Sequence, residues 1–302
     1  GPNMNCMLCG HRCGADRAEN ETGFCSMGET AVLSKVMLHK WEEPCISGTN
    51  GSGAIFFAGC SLRCAFCQNW EISHMRKGLP VDIDRLRDIF DELADQGAHN
   101  INLVNPTHFV PFIQKAFKRY QKRIPVVYNT HGYDSLDALH RMDGIVDVYL
   151  PDLKYTYSLP ARRYSSAPNY FEVAKIAIDE MFRQVGPVQY DENGLLKKGV
   201  IIRHLVLPGQ IDSAKDVIDY VADHFEKGSV LFSLMSQYIP CGEATRYPEI
   251  NRRLTQEEYD EVAQYLMDSP IDNGFMQELD SADEQYVPDF DLSGVLPKDE
   301  EA

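Results

Sequence analysis

No run of apolar residues in this chain approaches the roughly 18 needed to cross a bilayer, which argues against a membrane-spanning helix. The opening residues also lack the apolar stretch of a secretory signal, so the expected location is cytoplasmic. Positive charge is scarce: 29 Lys and Arg face 45 Asp and Glu, a net charge of −16. A surface that acidic repels phosphate, which disfavours nucleic acid as a partner. No internal repeat is visible. The one compositionally biased stretch runs from Glu278 to Glu301 and reads as a solvated acidic tail.

Cysteine, by contrast, is plentiful. Eight of the nine cysteines fall within the first 67 residues. Disulfides are rare in a reducing compartment, and clustered cysteines there bind metal or react. The chain then changes character near residue 50. After the glycine-rich loop 47–53, short apolar runs alternate with helical patterns. Strands are expected at Ala54–Ala58, Asn100–Val104, Pro125–Tyr128, Val146–Leu150, Val200–Leu207 and Ser229–Met235. Helices are expected between them, one capped by Asp82 and the last opened by a Thr255 and Glu258 capping box.

Six strand–helix units predict an α/β fold, a partial (β/α)6 TIM-like barrel with a parallel sheet. The organisation expected is a cysteine-rich metal-binding module and linker over residues 1–50, the barrel over 51–270 and the acidic tail over 271–302. In such folds the chemistry gathers at the C-terminal ends of the strands.

The first strand runs into Gly59-Cys60-Ser61-Leu62-Arg63-Cys64-Ala65-Phe66-Cys67-Gln68-Asn69-Trp70. Thiolates from Cys60, Cys64 and Cys67 can ligate three irons of a [4Fe-4S] cluster and leave the fourth open. A tetrahedral zinc site would need a fourth ligand, and His74 is the near candidate.

The Cys60-x3-Cys64-x-Phe66-Cys67 pattern resembles the signature of the radical S-adenosylmethionine superfamily. The longer run through Ser73 is similar to the branch of pyruvate formate-lyase activating enzymes, in a subgroup without a defined substrate. Tyr128 to Tyr133, Leu150 to Tyr155 and Ile202 to Gly209 agree with that resemblance.

The resemblance implies that S-adenosylmethionine chelates the open iron and is cleaved reductively to methionine and a 5′-deoxyadenosyl radical. That radical takes hydrogen from a substrate, while the barrel supplies orientation and a dry cavity. A reductant such as flavodoxin or ferredoxin would deliver the electron, and the substrate expected is a protein or peptide.

The resemblance also nominates cofactor-binding residues. Phe66 belongs to the cluster signature, and Asn69 is placed to donate to cluster or cofactor. Where similar enzymes carry a Gly-Gly-Glu turn, this chain has Asn105-Pro106-Thr107-His108, leaving Asn105 or Thr107 to accept the amino-group bond. Asn129 and Thr130 stand where an Asp-Thr pair is usual. Lys154 matches a lysine that neutralises the methionine carboxylate.

Arg203 sits inside an apolar strand, so its charge must face a polar cavity, where it is expected to contact cofactor or substrate, or else pair with an acidic partner. His204 has the opposite parity and reads as packed; Cys45 and Cys241 read as buried thiols. Gln237, Tyr238 and the insertion Gln189 to Lys198 are candidates for substrate specificity.

Cys6, Cys9, Cys13 and Cys25 form a second set. Four thiolates make a closed site, suited to structural zinc or to an electron-relaying iron–sulfur cluster. Three functions follow: an activating enzyme-like radical enzyme, a radical enzyme for a small metabolite or nucleoside, and a non-catalytic iron–sulfur or zinc scaffold.

Overall fold

The computed structural model describes residues 31–40, 42–59, 64–66, 78–272, 274–276 and 291–298. The expected N-terminal metal set (Cys6, Cys9, Cys13, Cys25), the motif residues Cys60, Cys67 and Asn69, and most of the acidic tail lie outside the described residues.

The described chain begins with β1 (Val32–His39), α1 (Pro44–Ser47), β2 (Ser52–Phe57) and β3 (Leu79–Pro80). Alternation then sets in with α2 (Ile83–Asp95), β4 (Ile101–Val104), α3 (Val110–Phe117), β5 (Val126–Thr130), α4 (Leu136–Met142) and β6 (Val148–Pro151). Two helices follow, α5 (Ser158–Ser165) and α6 (Tyr170–Val185), then β7 (Gln189–Tyr190), β8 (Leu196–Leu205) and α7 (Ile211–His224). The series ends with β9 (Leu231–Met235), α8 (Gln256–Asp268) and β10 (Gly274–Met276).

The strands form one sheet in the order β10-β9-β8-β6-β5-β4-β2-β1-β3, with β7 paired to β8. From β10 to β2 every pairing is parallel. The parallel strands are covered on both faces, which is why β2, β4, β5 and β6 are buried throughout.

The outer face packs on the helices. α2 shows how the sequence encodes this: Asp82 caps it by accepting from the Arg85 amide at 2.7 Å, and Leu86, Ile89, Phe90 and Leu93 form its buried stripe. Ser135 caps α4, and Thr255 with Glu258 forms the capping box of α8. Among the described residues no helix is long and apolar enough to cross a membrane.

The inner face is layered. At the N-terminal ends of the strands, Ile46 of α1 packs against Val127, Val148, Leu150, Ile201 and Leu231. Just before α1, the side chains of Glu42 and Glu43 reach β4, β5, β8 and β9 through Asn102, Asn129, Arg203 and Ser233. The sheet therefore curls around this segment, as a partial TIM-like barrel does.

The structure departs from the sequence reading in several places. Seven strands run parallel where six are expected, because β10 at three residues is too short to show periodicity. Helix α5, which contains Pro160, has no counterpart in that reading. The insertion 189–198, expected as a candidate specificity element, forms a short hairpin in which β7 pairs antiparallel with the first residues of β8, at the strand end opposite the C-terminal face.

Candidate functional site

The loop after β2 carries Cys64 to the C-terminal face of the sheet, where Ala65 and Phe66 are clamped from two sides. The Ala65 amide donates to the Tyr164 carbonyl of α5 at 2.8 Å, and the Ala65 carbonyl accepts from the Glu243 amide at 2.7 Å. The Cys241 thiol donates to the Phe66 carbonyl at 3.4 Å. Phe66 meets Tyr164 and Tyr238 edge-on, and the Lys154 ammonium lies 5.7 Å from its ring centroid. The Cys64 sulfur is buried, 3.1 Å from the Ser165 hydroxyl. Burial pushes this thiol up, against the pull of Lys154 and Ser165.

From Lys154 a chain of largely buried charges runs down into the barrel. Lys154 Nζ lies 3.1 Å from Asp152 Oδ2, and His131 Nδ1 lies 3.4 Å from the same oxygen. Asp152 Oδ1 faces Arg203 Nη2 at 3.3 Å, and Arg203 Nη1 donates to Glu42 Oε1 at 3.0 Å. Asn129 completes the lattice: its carbonyl accepts from Arg203 Nη2 and its amide donates to Glu42 Oε2 at 3.3 Å.

Burial pushes the Asp152 carboxyl up, but Lys154 and Arg203 together outweigh it and hold it well below the usual carboxylate range. Burial likewise opposes the Arg203 charge, and Asp152, Glu42 and Glu43 outweigh it. His131 is lowered, chiefly by burial. The cluster is thus a compensated run of two cations and two carboxylates.

The loops that present these groups are tied by one phenol. The Tyr170 hydroxyl lies 2.6 Å from the His131 carbonyl and 2.9 Å from that of Asp152, and it accepts from the Lys154 amide at 3.1 Å. Gly132, at φ +87°, makes this closeness possible, since a Cβ there would come within 2.3 Å of the Asp152 carbonyl.

The other candidates are placed unequally. Asn105 is buried with φ +58°, and its amide nitrogen has no hydrogen-bond partner among the described residues. Thr107 and Thr130 both donate to buried Asp134, with Tyr128 as a third donor at 2.8 Å. Their hydroxyl hydrogens are therefore committed within the protein. Burial pushes the Asp134 carboxyl up and the three donors oppose it.

Sequence reasoning missed Glu42, His131, Asp134 and Asp152. Asp152 adjoins Lys154 in the motif Asp152-Leu153-Lys154, which was the available signal. The partners of Glu42 and Asp134 are set by the fold.

His204 packs on the outer face, as its parity predicts, and its Nδ1–H donates to the Leu153 carbonyl at 2.7 Å. Burial lowers it from 6.5 to about 4, with the carbonyl bond opposing. The folded value lies below the unfolded one, so stability is lost as pH falls from about 6.5 to about 4, by on the order of 3 kcal/mol for the full shift. Urea midpoints measured across that window should fall with acid, and less steeply in His204→Asn.

The family model described as the Radical SAM superfamily matches residues 54–221. An uncharacterised protein of Methanocaldococcus jannaschii is 34% identical over 270 residues, covering 85% of this chain and 73% of its own. Among solved structures, SuiB of Streptococcus suis bound to its precursor peptide SuiA is 12% identical with a TM-score of 0.48, over 72% of this chain and 46% of that one. This chain thus spans less than half of SuiB. A variant of spore photoproduct lyase is 13% identical with a TM-score of 0.49, over 73% of this chain and 74% of its own. Similarity at that structural level assigns neither substrate nor reaction.

Proposed function

The chain belongs to the Radical SAM superfamily, and from that premise we propose that Cys60, Cys64 and Cys67 hold a [4Fe-4S] cluster beside S-adenosylmethionine bound at the strand ends, in an activating enzyme-like protein acting on a protein or peptide. Membership implies an enzyme with that cluster and that cofactor.

The described residues fit such a pair. Cys64 presents a buried thiol next to a polar wall. The amide nitrogen of Asn105, Nε2 of His131 and Nε of Arg203 are buried near the strand ends without hydrogen-bond partners among the described residues. Each such atom costs about 1–3 kcal/mol unless a polar ligand or water meets it. Cluster and cofactor together supply, on one-electron reduction and cleavage of a carbon–sulfur bond, methionine and a radical able to take hydrogen from a substrate.

The chain's own residues bind and orient. Lys154, held by Asp152 and lying against Phe66, offers a cation to a carboxylate beside the cluster loop. Asn105 offers its amide where an amino-acid head group would be recognised, and its left-handed backbone is the strain expected of a functional position. Asp152, Arg203, Asn129 and Glu42 fix the wall behind Lys154. Tyr164 and Tyr238 enclose Phe66 and exclude water from that side.

A flavodoxin- or ferredoxin-like donor supplies the electron, and Cys6, Cys9, Cys13 and Cys25 hold a second metal, as zinc or as a further cluster. The observation that carries the reading is the buried Cys64 thiol, delivered by the loop after the first parallel strand against this charged wall. Anaerobically reconstituted protein given S-adenosylmethionine and dithionite should release 5′-deoxyadenosine and methionine, measured by liquid chromatography. No product above a dithionite-free control would defeat the enzymatic reading. A glycyl-radical doublet on a co-incubated partner protein, seen by electron spin resonance, would establish the activating role, and its absence across candidate partners would refute it.

A further inference from the structure

Behind Cys64 stands a short, fully buried hydroxyl chain that none of the cofactor contacts above uses. The Cys64 sulfur lies 3.1 Å from Ser165 Oγ, and Ser165 Oγ lies 2.7 Å from the Tyr155 hydroxyl. The three residues are 2%, 0% and 1% exposed, so water does not compete for these bonds. Two separate elements supply them. Ser165 ends α5, whose neighbouring Tyr164 carbonyl receives the Ala65 amide, and Tyr155 follows β6 one residue after Lys154. The Tyr155 ring is itself fixed edge-on against Tyr170 at 5.5 Å. Burial, first, keeps the Tyr155 phenol protonated and so a donor.

Direction follows from hydrogen counting. A sulfur bonded to iron has no proton to give, so Ser165 must spend its one hydrogen on the sulfur. Its oxygen then accepts from Tyr155. The chain runs Tyr155 to Ser165 to Cys64 and ends as a hydrogen bond on a ligand sulfur. Hydrogen bonds to ligand sulfurs, with burial and net charge, set the potential of iron–sulfur clusters. Such a bond favours the reduced form, which carries one more negative charge.

We infer that Ser165, oriented by Tyr155, is a positioning residue that raises the reduction potential of the cluster through a hydrogen bond to Cys64. The inference rests on Cys64 being a cluster ligand, as proposed above. It concerns the ease of the electron-transfer step, separately from cofactor binding.

The test is a redox titration of the reconstituted cluster followed by electron spin resonance, on the parent protein, Ser165→Ala and Tyr155→Phe. Ser165→Ala should lower the equilibrium constant for one-electron reduction about tenfold, a potential about 59 mV more negative. Tyr155→Phe keeps the shape of the ring and should shift the potential in the same direction by less. Variants that carry the parent's cluster content and titrate at the parent potential, or above it, would overturn the inference. Should Ser165→Ala fail to hold a cluster, Tyr155→Phe alone decides by the same criterion. A parent protein that takes up no cluster overturns the underlying reading as well, and is told apart because it fails before any variant is compared.

Discussion

Alanine at Cys64 should abolish release of 5′-deoxyadenosine and methionine, and the same loss is expected at Cys60 and at Cys67. Each thiolate is assigned one iron, so removing one opens a second iron to solvent and to stray ligands. Losing an outer partner of a metal ligand already costs about 10–100-fold, and losing the ligand itself should exceed that. The drop should reach the background of the dithionite-free control, with cluster absorbance falling in parallel. Cys45 provides the comparison. It packs beside Ile46 at the opposite end of the strands, and burial pushes its thiol up to about 11. Cys45→Ala should therefore leave both cluster and product formation near the parent level. If Cys64→Ala kept full product formation, the motif would not be the ligand set and the mechanism would have to be rebuilt.

The cysteine motif was legible in the sequence because its information is local. Spacing, the preceding apolar run and Phe66 all lie between Ala54 and Cys67, and no long-range contact is needed to read them. The same holds for the helix starts at Asp82, Ser135 and Thr255, where cap and donor amide are three residues apart. Buried strands such as β2 announce themselves as unbroken apolar runs.

The wall behind the motif was not legible for the opposite reason. Arg203 and Glu42 are 161 residues apart, and only the curl of the sheet brings them together. Arg203 alone was conspicuous, since a cation in an apolar strand demands a partner, but the pattern could not name Glu42 or Asp152. Asn129 was visible as a polar strand end, yet its amide joins Arg203 to Glu42, a role set by the register of β5. Ser165 gave no signal, because α5 is short, carries a proline and shows only a weak apolar stripe.

Arg203→Met should lower the free energy of unfolding by about 3–5 kcal/mol, because it strands carboxylates that the fold has already desolvated. Among the described residues, Glu42 then keeps the amides of Asn102 and Asn129, at 3.1 and 3.3 Å, and Asp152 keeps Lys154 and His131. The companion Glu42→Gln removes one of the stranded charges. The double variant should therefore be less destabilised than the sum of the two single changes, a coupling that urea unfolding of all four proteins would measure. The pH dependence has a definite sign. In the parent, Lys154 and Arg203 overcome burial and hold Asp152 below its unfolded value, so its stabilisation is present above about pH 4 and is lost as acid protonates it. Without Arg203 the carboxyl titrates closer to the ordinary range, and a protonated Asp152 no longer lacks a cation. The gap between parent and Arg203→Met should thus narrow towards acid. A gap that stays constant, or a loss under about 1 kcal/mol at neutral pH, would mean that Arg203 is not what holds the wall together, and Lys154 would then have to be positioned by Tyr170 and the backbone alone.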